Sequence, residues 1–178
     1  CTEEIPETAA TIEGNAIQKA NYITKKYGYD CFADDTGLEV DALNGEPGVF
    51  SARYAGEQRS AADNMNKLLE SLLEKKNRNA QFKTVIALNL NGTQHLFTGI
   101  AKGQITPEKI GNQGFDYDPI FQPEGFTETF AQLSVDIKNK ISPIELSGLT
   151  DVGKAQIISA TAEENKRPIL IITYNEIK

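Results

Sequence analysis

The chain has 178 residues, 39% hydrophobic and 24% charged, a balance that excludes a disordered or low-complexity polymer and suits a single globular domain over residues 1–178. Lysine and arginine number 18 against 25 aspartates and glutamates, for a net charge of −7; this argues against nucleic-acid binding and leaves room for a small polyanion bridged by divalent cations. No apolar run approaches the ~20 residues of a membrane span, so no membrane partner is expected. No charged-then-apolar leader follows Cys1. Two cysteines, Cys1 and Cys31, suggest a reducing, cytoplasmic setting rather than a disulfide framework. The single histidine, His95, argues against a His-based triad or multi-His metal site and reads as structural.

In chain order, Glu4–Thr8 is an extended lead-in, because Pro6 disfavours helix before it. A helix is predicted from Thr11 to Tyr27, with Ile12, Ala16, Ile17, Ala20 and Ile23 on one face and Lys25, Lys26 and Gly28 as its stop signal. Cys31–Ala33 reads as a short strand that runs into Asp34-Asp35-Thr36-Gly37 and a glycine-rich loop ending at Gly48. Ser60 and Asp63 open an amphipathic helix carrying Met65, Leu68, Leu69, Leu72 and Leu73, ending near Lys76. Gln81–Leu90 and Thr93–Lys102 are strands joined by the hairpin signal Asn91-Gly92. Further helices are expected over Phe130–Ile141 and Ala155–Glu164, and a buried strand over Pro168–Thr173. The mixture predicts an α/β or α+β fold, and the hairpin favours a mixed sheet over a purely parallel one.

Four stretches carry candidate chemistry, each with a plainer reading beside it. Asp34-Asp35-Thr36-Gly37 offers two adjacent carboxylates, one free to ligate a metal or activate water, or else an Asp-rich turn. Gly45–Gly56 combines close-approach glycines with Arg53, which can meet a phosphate or simply pair with a carboxylate. Gly114-Phe115-Asp116-Tyr117-Asp118-Pro119 spaces two aromatics as if to flank a planar ring, or as ordinary core residues. Lys138-Asn139-Lys140-Ile141-Ser142 is a basic helix end, a site for an anion or a complement to the helix dipole.

In combination and in this order, Phe32–Asp41, Gly45–Gly56 with Ser51-Ala-Arg-Tyr-Ala-Gly, Gly114–Pro119 and the stretch from Thr129 to Ser142 resemble the inosine/xanthosine triphosphate pyrophosphatase family, the house-cleaning enzymes for non-canonical purine nucleotides. The resemblance spans residues 1–142. It implies an elongated α/β fold with a central mixed sheet and two lobes flanking a cleft. It implies hydrolysis of ITP, dITP or XTP to the monophosphate and pyrophosphate, with Mg²⁺, by a homodimer. Asp35 would act on metal and water with Asp34 assisting, and Glu13 would be the second metal ligand. Ser51 and Arg53 would lie near the phosphates. Phe115 and Tyr117 would sandwich the purine beside Asp118, and Lys138 and Ser142 would face the base or sugar edge.

The chain departs from the family pattern at three places. The family's metal-binding glutamate falls nearer Gly14, so Glu13 has to serve. Asp116 stands where the aromatic motif has glycine. Ser142 is followed by Pro143-Ile144 where the family has the base-reading His-Arg. The alternative reading is therefore a catalytically impaired or permuted family-fold protein that acts as a nucleotide-binding or structural module.

The family's opening strand and Thr-Asn-Asn-x-x-Lys phosphate loop are not found before Cys1. Residues 143–178 instead read as a strand followed by Thr173, Asn175 and Lys178, with the spacing of that loop. The expectation is that this segment replaces the N-terminal strand and supplies an edge of the sheet.

Overall fold

A computed structural model describes residues 5–114, 116–141 and 170–172 of the chain. The described elements are α1 (Ile12–Tyr27), β1 (Cys31–Val40), α2 (Ala61–Ser71), β2 (Asn79–Leu90), β3 (Thr93–Ile105), β4 (Phe121–Pro123), α3 (Val135–Ile141) and β5 (Leu170–Ile172), with short 3-10 turns between them. The five strands form one mixed sheet in the order β4-β3-β2-β1-β5. β3 and β4 pair antiparallel, whereas β5 pairs in parallel with the start of β1, Cys31 opposite Leu170. The C-terminal strand therefore occupies a sheet edge. The helix expected over Ala155–Glu164 lies outside the described residues.

The chain divides into two compact units, residues 1–36 with 84–99 and 145–178, and residues 37–83 with 100–144. In the first unit α1 follows its sequence signals closely. Thr11 caps it by accepting from the Gly14 N–H at 3.0 Å, and Gly28 closes it at φ 72° in the left-handed region. Ile12, Ala16, Ala20 and Ile23 are buried, as is Cys31. Asn89 and Gln94 reach Asn21 of α1 through side-chain amides at 3.0 and 2.9 Å, so a polar network ties the helix to the β2–β3 hairpin. The hairpin turns at Asn91 (φ 51°) and Gly92 (φ 76°), the positive values a two-residue turn needs. His95 is exposed on β3.

The second unit holds a core built from Leu38, Val40, Leu68, Leu72, Tyr117 and Phe121, with other apolar side chains around them. Phe121 packs against Phe82 and Phe130 at ring separations of 4.7 and 5.0 Å. Ser60 caps α2. Arg78 donates to the carbonyls of Leu72, Ile105 and Thr106, fastening the end of the α2 segment to the end of β3.

Three sequence expectations change. β1 does not stop at Ala33: the strand carries through both aspartates to Val40, and Leu38 and Val40 are buried at its far end. α2 ends at Ser71 rather than near Lys76. Leu72 and Leu73 enter tighter turns there, and Leu73 leaves the apolar face for solvent. The run from Phe130 becomes helical only at Val135, because turns anchored on Thr129 place Phe130, Ala131 and Leu133 in the core before any helix begins.

Candidate active site

In the first unit, Asp35 lies inside β1, not at a strand end as the sequence suggested, and strand geometry turns Asp34 and Asp35 to opposite faces. Asn15 and Lys19, one helical turn apart on α1, both reach Asp35. The Lys19 ammonium lies 3.0 Å from Asp35 Oδ1, and the Asn15 amide donates to Oδ2 at 3.3 Å. The same ammonium lies 2.6 Å from Glu7 Oε1 in the lead-in. It is thus shared by two carboxylates, with side-chain exposures of 6% for Lys19, 23% for Glu7 and 13% for Asp35.

The lead-in that brings Glu7 here is fastened to α1 residue by residue. The Ala9 N–H donates to Asn15 Oδ1, the Thr8 N–H donates to Gln18 Oε1, and Gln18 Nε2 donates back to the Thr8 hydroxyl, all at 2.9 Å. Gly14 makes room for this arrangement: a Cβ there would stand 2.7 Å from that of Ala9. Gly14 is therefore a position where the folded lead-in admits no side chain without shifting.

The charges respond to this setting. At Asp35 burial dominates and raises the carboxyl above its ordinary value of 3.8, helped by the Glu7 charge and opposed by Lys19 and Asn15. At Lys19 burial works against the charge, but two carboxylates outweigh it and the ammonium is held above 10.5. The asymmetry is physical: Lys19 sees two anions, while Asp35 sees one cation and one further anion.

Among the described residues no cluster of three or more His, Cys, Asp or Glu forms a ready metal cage. The donor set nonetheless suits a hard divalent cation that takes one or two carboxylates and completes its shell with water and phosphate oxygens. The Lys19 ammonium shows that a positive charge fits between Glu7 and Asp35. Glu13, the ligand expected from sequence, sits in the first turn of α1; the carboxylate facing Asp35 across Lys19 is Glu7. Glu7, Asn15 and Lys19 were missed as site residues. The available signal was two polar residues at helical spacing beside the apolar positions Ile12, Ala16 and Ala20.

In the second unit the structure joins several of the remaining candidates. The Ser51 hydroxyl donates to the Gly48 carbonyl at 2.6 Å and accepts from the Leu38 N–H at 2.9 Å, so it shapes its own turn. Arg53 lies over the Phe50 ring, 5.3 Å from its centroid. Tyr117 is 1% exposed and donates its phenolic proton to the Ser51 carbonyl at 2.9 Å, so the described ring offers no open face to a purine. Asp118 pairs with Lys138 at 3.1 Å, bringing two candidates together. Asn64, unnoticed in the sequence, is buried and bonds Ala55, Ser51 and Ala52, holding the Ser51–Arg53 turn on α2. Phe115, Ser142, Thr173, Asn175 and Lys178 lie outside the described residues.

Residues 1–144 match the Ham1 family model. The chain belongs to the Ham1 family. It is 75% identical over 142 residues to a dITP/XTP pyrophosphatase of Flavobacterium psychrophilum, covering 80% of this chain and 75% of that protein. A Flavobacterium johnsoniae protein of the same name is 72% identical over 141 residues, covering 79% and 73%. Among solved structures, the Staphylococcus aureus Ham1 protein superposes with a TM-score of 0.78 at 39% identity, covering 92% of this chain and 82% of its own. The Coxiella burnetii HAM1 protein gives 0.76 at 41%, covering 79% and 74%. The mixed α/β fold is thus a Ham1 fold. Asp116 adopts φ 45°, a conformation that favours glycine and that aspartate tolerates better than most residues.

Proposed function

We propose that this Ham1 protein hydrolyses non-canonical purine nucleoside triphosphates (ITP, dITP and XTP) to the monophosphate and pyrophosphate. The observation that carries the reading is Asp35, a part-buried carboxylate braced by Lys19 and Asn15, in a chain whose near relatives bear the name dITP/XTP pyrophosphatase.

Water adds at the α-phosphorus, the bond from that phosphorus to the α–β bridging oxygen breaks, and the leaving pyrophosphate takes the electron pair. Asp35 accepts the proton of the attacking water, for which its raised pKa suits it better than an ordinary carboxylate. Lys19 offers a cation to the phosphates, and Asn15 keeps one Asp35 oxygen in place. Asp34 assists from the other face of β1. Glu7 and Asp35 are the residues that would hold Mg²⁺, which when bound supplies Lewis-acid stabilisation of charge on the transferring phosphate.

We assign Arg53 to phosphate binding and the Asp118–Lys138 pair to a base edge. Ser51 and Tyr117 act through the turn they stabilise. We assign Phe115 to base stacking, Ser142 to the base edge, and Thr173, Asn175 and Lys178 to a phosphate loop rebuilt at the C-terminus; the parallel pairing of β5 with β1 supports that last assignment. The protein is read as a cytoplasmic homodimer, the cytoplasm from its sparse cysteines and buried free Cys31, the dimer from the family resemblance alone.

Pyrophosphate release from ITP, dITP, XTP, ATP and GTP with Mg²⁺ tests the reading. Turnover restricted to the first three is expected. No turnover, with no thermal shift on adding ITP, overturns it in favour of a structural module. Light scattering of the full chain at twice the monomer mass is the expected result for the dimer.

A further inference from the structure

We propose that Lys19 is the resident cation of the Glu7–Asp35 pair. Without a divalent ion its ammonium occupies the space between the carboxylates, and it gives up that place when a nucleotide phosphate arrives, so that ion and nucleotide enter together. The proposal rests on the reading of Glu7 and Asp35 as the ion's ligands.

Three observations carry it. The ammonium touches both carboxylates, at 2.6 and 3.0 Å, and so already neutralises part of the charge that would attract an ion. A divalent cation placed beside a retained ammonium would be repelled by it at close range in a poorly solvated site. Finally, Lys19 is almost wholly buried on the α1 face, so leaving the pair for bulk water would uncover its stem and the charges beneath.

A partner anion within the site resolves the conflict. A triphosphate brings negative charge that holds the displaced ammonium and completes the shell of the ion. Asn15 has a different part: it binds Asp35 and the lead-in through separate atoms, so it holds both in place while Lys19 changes partner.

The test is Mn²⁺ binding to the full chain, read by electron paramagnetic resonance and calorimetry, with and without a non-hydrolysable α,β-methylene analogue of ITP. Wild type is expected to bind Mn²⁺ at least about tenfold more tightly with the analogue than without it, a coupling of ordinary allosteric size. Lys19→Met keeps most of the apolar stem; it is expected to bind Mn²⁺ alone about tenfold more tightly than wild type and to lose most of the coupling. Lys19→Gln gives a second variant of different shape, and thermal melts of both establish that they fold.

Equal Mn²⁺ affinity of wild type and both folded variants, with binding lost in Asp35→Asn, overturns the proposal and leaves the ligand assignment standing. Undiminished Mn²⁺ binding in Asp35→Asn overturns the ligand assignment itself, and the proposal with it.

Discussion

The phenolic oxygen of Tyr117 donates to the backbone carbonyl of Ser51 at 2.9 Å, joining two motifs 66 positions apart in sequence. Both ends are buried, and without the hydroxyl the Ser51 carbonyl keeps only the longer bond from the Asn64 amide at 3.3 Å. Tyr117→Phe is expected to lower stability by about 0.5–1.5 kcal/mol, the net contribution of one hydrogen bond whose acceptor retains a second donor. Denaturant unfolding at neutral pH measures this, and a variant as stable as wild type would show that the bond contributes nothing.

Asn64 offers a sharper probe of the same region. Its side chain satisfies the Ala55 N–H and the carbonyls of Ser51 and Ala52 from a fully buried position on α2. Asn64→Ala is expected to cost about 1–3 kcal/mol, as the part-buried Ala55 N–H and Ala52 carbonyl lose their partner while the Ser51 carbonyl keeps Tyr117. If Arg53 serves the substrate from this turn, KM should rise in the same variant at temperatures well below its melting point, with kcat less affected.

Asp116 holds φ 45°. Asp116→Gly is expected to stabilise the fold by up to about 1 kcal/mol, by relieving left-handed strain against the greater chain entropy of glycine. A decrease in the urea midpoint would mean that the carboxylate has stabilising contacts that outweigh its backbone.

Asp35→Asn should abolish the proposed proton acceptance and reduce kcat by about 10²–10⁴-fold while the far-ultraviolet dichroism is unchanged. Near-normal turnover would remove Asp35 from the chemistry.

The same substitution separates the pH dependence of stability. Because the folded Asp35 carboxyl lies above 3.8, the folded state binds its proton more tightly than the unfolded chain does. As pH rises from below 3.8 through the folded value, wild type should therefore lose stability relative to Asp35→Asn; the gap stays constant above that value. Lys19 has the opposite window: its stabilisation is complete below 10.5 and is lost only as pH rises through its raised folded value. Metal-free unfolding titrations from pH 3 to 7 on both proteins check the first statement, and a gap independent of pH would contradict it.

How much of this was readable in the sequence differs between elements. α1 was legible because cap, apolar stripe and terminal glycine agree on one helix. The hairpin was legible from Asn91-Gly92. The extension of β1 was hidden, because Asp34, Asp35 and Gly37 are turn formers locally and the burial of Leu38 and Val40 overrides them. The start of α3 was misread because Phe130 and Leu133 serve the core from turns at a spacing that imitates a helix. At the site, Asp35 was legible as one of two adjacent carboxylates, though the sequence set it at a strand end and not inside β1. Glu7 was not, since only the folding of the lead-in onto Asn15, Gln18 and Lys19 brings it within reach of Lys19. The Tyr117–Ser51 bond was equally hidden, because each motif alone suggests a role toward ligand rather than toward the other.

The placement of both aspartates inside a strand has a consequence for how the sequence can change. In a turn, one residue gained or lost nearby would be absorbed by the loop. In β1 an insertion or deletion between the paired residue Cys31 and Asp35 would slide the strand by one position and exchange the faces of Asp34 and Asp35. Lys19 and Asn15 would then meet the wrong neighbour. This stretch can drift by substitution, but its length is constrained, and alignments of related chains should show it free of gaps even where its residues vary.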